Sequence, residues 1–136
     1  MRESQLVFSI IKGLYGVVHL MRANVGTVIT NDGRKFSTGL PKGFSDLFGV
    51  IPPEHSKTGQ PVPVFIECKV GNTKPTPEQV KFLETYREMG CCAGCVWSVN
   101  GAWNLIMPYL KIVYVDDAGE VILTENGTKK HDDGSW

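Results

Sequence analysis

Residues 62–72 read VPVFIECKVGN, and the fold turns on where this stretch lies. Val64, Phe65 and Ile66 make it a strand headed for a core. Side chains alternate along a strand, so Val64, Ile66, Cys68 and Val70 share one face and Phe65, Glu67 and Lys69 share the other. Taking a charge into a core is costly, and pairing offsets only part of that cost. The ordinary reading of such a Glu-x-Lys is an ion pair on an edge strand, facing water. The neighbouring segments argue for more. Phe44–Ile51 reads as the preceding strand, with Asp46 near its start, and a hairpin connection through residues 52–61 brings Asp46 beside Glu67. Two carboxylates side by side repel unless a cation lies between them. An all-oxygen set of this kind suits Mg2+ or Mn2+. A lysine one pleat further along would orient an attacking water or steady charge developing on a phosphate.

Downstream, Thr76-Pro77-Glu78-Gln79 combines an N-cap threonine, a first-turn proline and a glutamine at the third helical position. The spacing predicts a helix to about Met89, closed by Gly90. Cys91–Val99 reads as a second buried strand and Ala102–Tyr109 as a short helix ending around Pro108. Lys111–Val115 and Val121–Thr124 form a terminal hairpin across Asp116-Asp117-Ala118-Gly119. Upstream, Leu6, Val7, Ile10, Ile11, Leu14 and Val18 recur at near-helical spacing over residues 3–20, weakened at Gly13 and Gly16. Val25–Thr30 is β-rich and runs into the turn signal Asn31-Asp32-Gly33, and Gly39–Gly43 is a loop. The order α-β-β-β-α-β-α predicts one α/β domain, a mixed central β-sheet flanked by helices, over residues 1–124, with a polar tail at 125–136.

A chain of 136 residues can bury a core without a metal or disulfide staple. Its formal net charge is zero, so attraction to nucleic acid has to come from local charge. No run approaches the ~20 apolar residues of a membrane-spanning helix. Ser9, Lys12 and His19 interrupt Leu6–Leu20, which reads as an amphipathic helix rather than a leader. Three of the four cysteines, Cys91, Cys92 and Cys95, crowd together, a poor layout for a secreted disulfide framework, so a reduced, intracellular state is expected. Cys92-Ala93-Gly94-Cys95 is a C-x-x-C inside a strand, and His19, His55 and His131 lack ligand spacing. Buried free thiols are expected there, with a thiol-redox or zinc protein as the lesser alternative. Trp97, Trp103 and Tyr109 are expected as core or dimer contacts rather than base-stacking platforms.

Three stretches in order, Gly43-Phe44-Ser45-Asp46, Glu67-Cys68-Lys69 and Gln79-Val80-Lys81-Phe82-Leu83, resemble the marks of the PD-(D/E)xK nuclease superfamily. The likeness is closest to its VRR-NUC domain, the virus-type replication and repair nuclease, and spans roughly residues 3–107. That family has an early helix with a glutamate, a G-x-P-D turn into a strand, E-x-K, and a Q-x-x-x-L helix. The resemblance implies a restriction-endonuclease-like core that hydrolyses DNA phosphodiesters with Mg2+ or Mn2+. Asp46, Glu67 and the main-chain carbonyl of Cys68 would bind the metal, and Lys69 would orient the water and stabilise the scissile phosphate. Gln79 would position Lys69 or water as well as serve its capping box. Glu3 matches the early helix acid and would touch a second metal; otherwise it is a first-turn acid favoured by the helix dipole. Lys42, Lys74, Arg22 and Asn24 are candidate phosphate contacts, weighed against ordinary solvated surface. Ser45 stands where the family has proline, and Trp97 where a basic residue is common, which puts one phosphate contact in doubt.

Small standalone members resemble homodimeric phage nucleases that cut four-way (Holliday) junctions. The resemblance therefore implies branched DNA as partner, a homodimer, no membrane, no organic cofactor, and the cytoplasm of a bacterial host with a phage or prophage origin. Flap- or end-directed repair cleavage is the alternative within nucleases. A non-catalytic DNA-binding module is the alternative from another class.

Overall fold

The structure, a computed structural model, describes residues 1–24, 27–111, 113–115 and 121–123. In chain order the elements are α1 (Glu3–Gly13), β1 (His19–Arg22), β2 (Thr27–Ile29), β3 (Lys35–Ser37), β4 (Leu47–Ile51), β5 (Val62–Cys68), α2 (Pro77–Glu88), β6 (Cys92–Val96), α3 (Val99–Ile106), a 3-10 turn at Met107–Tyr109, β7 (Val113–Val115) and β8 (Val121–Leu123). Four strands form one mixed sheet in the order β1-β4-β5-β6. β1, β4 and β5 run antiparallel in turn, and β5 and β6 run parallel across the α2 crossover. The opening stretch is thus an interior strand, which rules out an edge-strand ion pair facing water. β2 and β3 form a separate hairpin, and so do β7 and β8.

Alternation along β5 divides the sheet into two unlike faces. Val64, Ile66 and Cys68 are fully buried on the first, together with Leu6, Ile10 and Leu14 and with Ala102, Trp103 and Ile106. There α1 and α3 lie against each other, and a Cβ on Gly13 would meet Val99 at 2.9 Å. On the second face Phe65 packs against Phe82 and Tyr86 of α2, and Phe44 joins Phe48, Phe65 and Phe82. Ring centroids 4.6–6.0 Å apart, mostly tilted or edge-on, suit the aromatic quadrupole. Arg87 fastens the far end of α2 to the sheet through two hydrogen bonds to the Ala93 carbonyl.

Several boundaries differ from the sequence expectation. The first helix ends at Gly13 rather than near residue 20, and His19–Arg22 is a strand. Gly16 has φ +88°, a backbone conformation that turns the chain out of the helix. Leu14, Val17 and Val18 still reach the core from this turn, which is why the apolar spacing continued past the helix. The strand expected from Phe44 begins at Leu47. The helix expected at Ala102 begins at Val99, because the Ser98 hydroxyl accepts the Gly101 N–H and caps it, and β6 stops at Val96. The connection through residues 52–61 is not wholly exposed. Ser56 is buried and bridges Leu110, and Lys57 N–H donates to the Tyr109 carbonyl. The terminal hairpin pairs Val113–Val115 with Val121–Leu123 as expected, whereas its turn and the tail at 125–136 lie outside the described residues. Among the described residues no helix is long and apolar enough to cross a membrane.

Candidate active site

The site lies at the carboxyl end of β5, on the face that α2 covers. β4 and β5 pair Leu47 with Ile66, so Asp46, one residue before β4, comes level with Glu67. Asp46 is fixed from two sides. Its carboxylate accepts the Cys68 N–H at 2.8 Å, and its main-chain carbonyl accepts the Ala23 N–H just past β1. Ser45 is buried and donates its hydroxyl to the Leu47 carbonyl at 2.7 Å.

Glu67 is only 2% exposed. Gln79 donates its side-chain amide to Glu67 Oε1 at 3.2 Å, and Lys69 Nζ lies 3.8 Å from the same oxygen. Gln79 also closes the capping box, its Oε1 accepting the Thr76 N–H at 2.8 Å. Gln79 therefore makes its capping bond and its bond to Glu67 at once, one from each end of its amide. Glu67 Oε2 is buried, and none of the described residues donates a hydrogen bond to it. Burial foremost, and the Asp46 carboxyl beside it, push the Glu67 carboxyl up to about 9 against the pull of Lys69.

Lys69 N–H extends the ladder to the Val96 carbonyl, and its ammonium sits between Glu67 and Glu3, 3.7 Å from the latter. Glu3 opens α1, so it also meets the positive end of that helix. One carboxylate oxygen each from Glu3, Asp46 and Glu67 lies within 4.8 Å of the others. Acceptors this close repel one another, and a proton or a positive charge among them, the Lys69 ammonium included, lowers that cost. The set is all oxygen, which suits a hard divalent cation. Asp46, Glu67, Lys69, Gln79 and Glu3 are thus brought together.

The candidate phosphate contacts are more scattered. Lys42 pairs with Glu78 at 3.7 Å, both largely exposed, so it engages the first turn of α2 rather than the carboxylates. Arg22 lies over the Phe8 ring, 5.6 Å from its centroid. Asn24 is exposed on the stretch whose Ala23 holds Asp46, and Lys74 is exposed between β5 and α2. Trp103 is core and Tyr109 half-buried, but Trp97 is 46% exposed, so the expectation of a core role fails for it.

The C-x-x-C motif cannot close on itself. Three residues apart on one strand, Cys92 and Cys95 point to opposite faces. Cys92 is buried by α3 and burial pushes its thiol up to about 12. Cys95 is only half-buried and pairs in register with Glu67, which puts it on the site's face, where burial pushes it up to about 11. Thiols on opposite faces of one strand neither bond to each other nor converge on one zinc ion. That Cys95 neighbours Glu67 follows from the parallel β5–β6 register, which no local signal in the sequence carries.

No protein-family model, curated protein or solved structure matches the chain.

Proposed function

We propose that this protein is a divalent-cation-dependent DNA endonuclease of the PD-(D/E)xK, VRR-NUC type. One observation carries the reading. Glu67 is buried on an interior strand with one oxygen lacking a donor among the described residues, and Asp46, Lys69 and Gln79 converge on it. A fold does not normally keep such a group, because burying a carboxyl group is costly even when it is partly paired. Function is a sufficient reason to keep it.

Asp46 and Glu67, with Glu3 and the Cys68 carbonyl, would hold Mg2+ or Mn2+. The cation would supply Lewis-acid polarisation of the phosphate and a more acidic water. The protein supplies the rest. Asp46 and Glu67 fix the carboxylate frame, and Gln79 keeps Glu67 Oε1 from turning away. Lys69, freed of part of its carboxylate pairing, directs its ammonium at charge growing on the phosphate oxygens. Water attacks phosphorus in line and gives up a proton to solvent, the P–O bond to the leaving nucleoside breaks, and that oxygen takes up a proton. The N-terminus of α2, beside Gln79, adds a positive dipole end to the same place. Branched DNA, four-way junctions included, and a homodimer belong to the same proposal on the strength of the sequence resemblance. A two-fold substrate cut symmetrically needs two sites at fixed spacing.

The test is cleavage of a labelled four-way junction beside flap, linear duplex and single-stranded DNA. Wild type and Lys69→Ala are compared with Mg2+, Mn2+ and EDTA. Paired metal-dependent nicks on the junction, lost in the variant by a factor of about 100 or more, support the full reading. Cutting confined to flaps or ends keeps the nuclease and drops the junction. DNA binding with no cleavage in either metal sinks the catalytic claim.

A further inference from the structure

We infer that Trp97 is a stacking platform for an unpaired nucleobase of the substrate, set beside the phosphate that Lys69 faces; the inference rests on the nuclease reading above. Trp97 follows Val96, the residue whose carbonyl accepts the Lys69 N–H at 3.0 Å. It therefore stands at the carboxyl end of β6, next to the carboxyl end of β5. In open α/β sheets the crevice outside the carboxyl ends of parallel strands is where ligands sit.

The indole is held in place. Its Nε1–H donates to the Thr73 carbonyl at 3.0 Å, which ties the ring to the segment between β5 and α2. Nearly half of the side chain nonetheless remains in water, although the indole N–H has already found its partner. With its one donor satisfied, the indole asks for no further hydrogen bond and is left as a stacking surface. Lys74, next to Thr73, is exposed, and Thr76, two residues later, caps α2. A positive side chain and a helix N-terminus beside a fixed indole match the alternation of phosphate and base along a nucleic-acid strand. A continuous duplex keeps its bases stacked on one another and offers Trp97 only an edge. A branch point, flap or single strand offers a face.

The occupant is thus an unpaired base, and the substrate class is DNA interrupted near the scissile phosphate. The probe is 2-aminopurine, placed unpaired at the branch of a flap or inside an unbroken duplex, with Ca2+ replacing Mg2+. Wild type, Trp97→Ala and Trp97→Phe are compared, with thermal melts as the folding control. Wild type should quench the unpaired probe, Trp97→Phe should retain part of that effect, and Trp97→Ala should lose it. Affinity for the flap should fall about tenfold in Trp97→Ala, with duplex affinity changed less than about twofold. Unaltered quenching and affinity in Trp97→Ala overturn the platform and leave the nuclease standing. So does a fall in molar mass from dimer to monomer in Trp97→Ala, which would make Trp97 a subunit contact. Trp97-dependent quenching by a wild type that cuts nothing with Mg2+ or Mn2+ keeps the platform and removes the nuclease. Failure to bind any of these DNAs removes both.

Discussion

At the scale of single residues, Glu67 decides most. An unfolded glutamate ionises near the ordinary value of 4.5, and the folded one near 9. Between those values the native protein holds a proton that the unfolded chain has released, so raising the pH disfavours the native state. The cation-free protein should therefore lose stability steadily from about pH 5 to pH 9, as read by urea unfolding. Glu67→Gln should flatten that slope and unfold later than wild type at pH 8, while losing the stabilisation that Mn2+ gives wild type. A flat wild-type profile would mean that Glu67 is solvated rather than buried. Glu67 and Lys69 were legible because their spacing on a strand is local. The burial of Glu67 was not, because it depends on β5 lying inside the sheet. Cys95 and Trp97 escaped for the same reason. Their neighbours are fixed by a parallel register and by the stretch around Thr73, far away in the chain.

At the scale of elements, the site stands on two close approaches. A Cβ on Gly43 would lie 2.7 Å from the Glu78 carbonyl oxygen, and Gly43 has φ +90°. Gly43→Ala should cost about 1–3 kcal/mol in unfolding free energy, from strain and displacement of the first turn of α2. Its cleavage rate should fall further than that of Thr76→Ala, which loses a cap worth about 1 kcal/mol but keeps Gly43 in place. Equal losses would show that α2 is positioned by its cap alone. Gly49 makes the second approach, since a Cβ there would lie 1.7 Å from the His19 carbonyl oxygen. Gly49→Ala should pry β1 from β4 and loosen the Ala23 hydrogen bond to Asp46, lowering activity and melting temperature together. The capping box of α2 was plain in the sequence because a cap is a matter of four adjacent residues. β1 was hidden because a turn and a helix both fed apolar side chains into one core at similar spacing.

At the scale of the whole molecule, the two faces of the sheet carry different duties. The aliphatic face, closed by α1 and α3, holds the fold together, and Trp103→Ala should cost about 3–5 kcal/mol there. The aromatic face carries α2 and ends in the carboxylates. An α/β domain with a mixed sheet between helices was legible from the order of elements alone. The exact strand order was not, since pairing partners are a property of the assembled sheet.

The two faces should also differ in how often they open. α2 buries Leu83 alone completely, whereas α1 and α3 each sink several side chains out of water. Segments with little buried surface detach at lower free energy than the body they rest on. When α2 lifts, Gln79 leaves Glu67 and water reaches the carboxylates. The site is therefore expected to open in an equilibrium of its own, separate from unfolding. Amide hydrogens of α2 should exchange with deuterium well before those of β5, and saturating Mn2+ should slow α2 while leaving β1 unchanged. Equal exchange in α2 and β5 would mean that the molecule opens only as one piece.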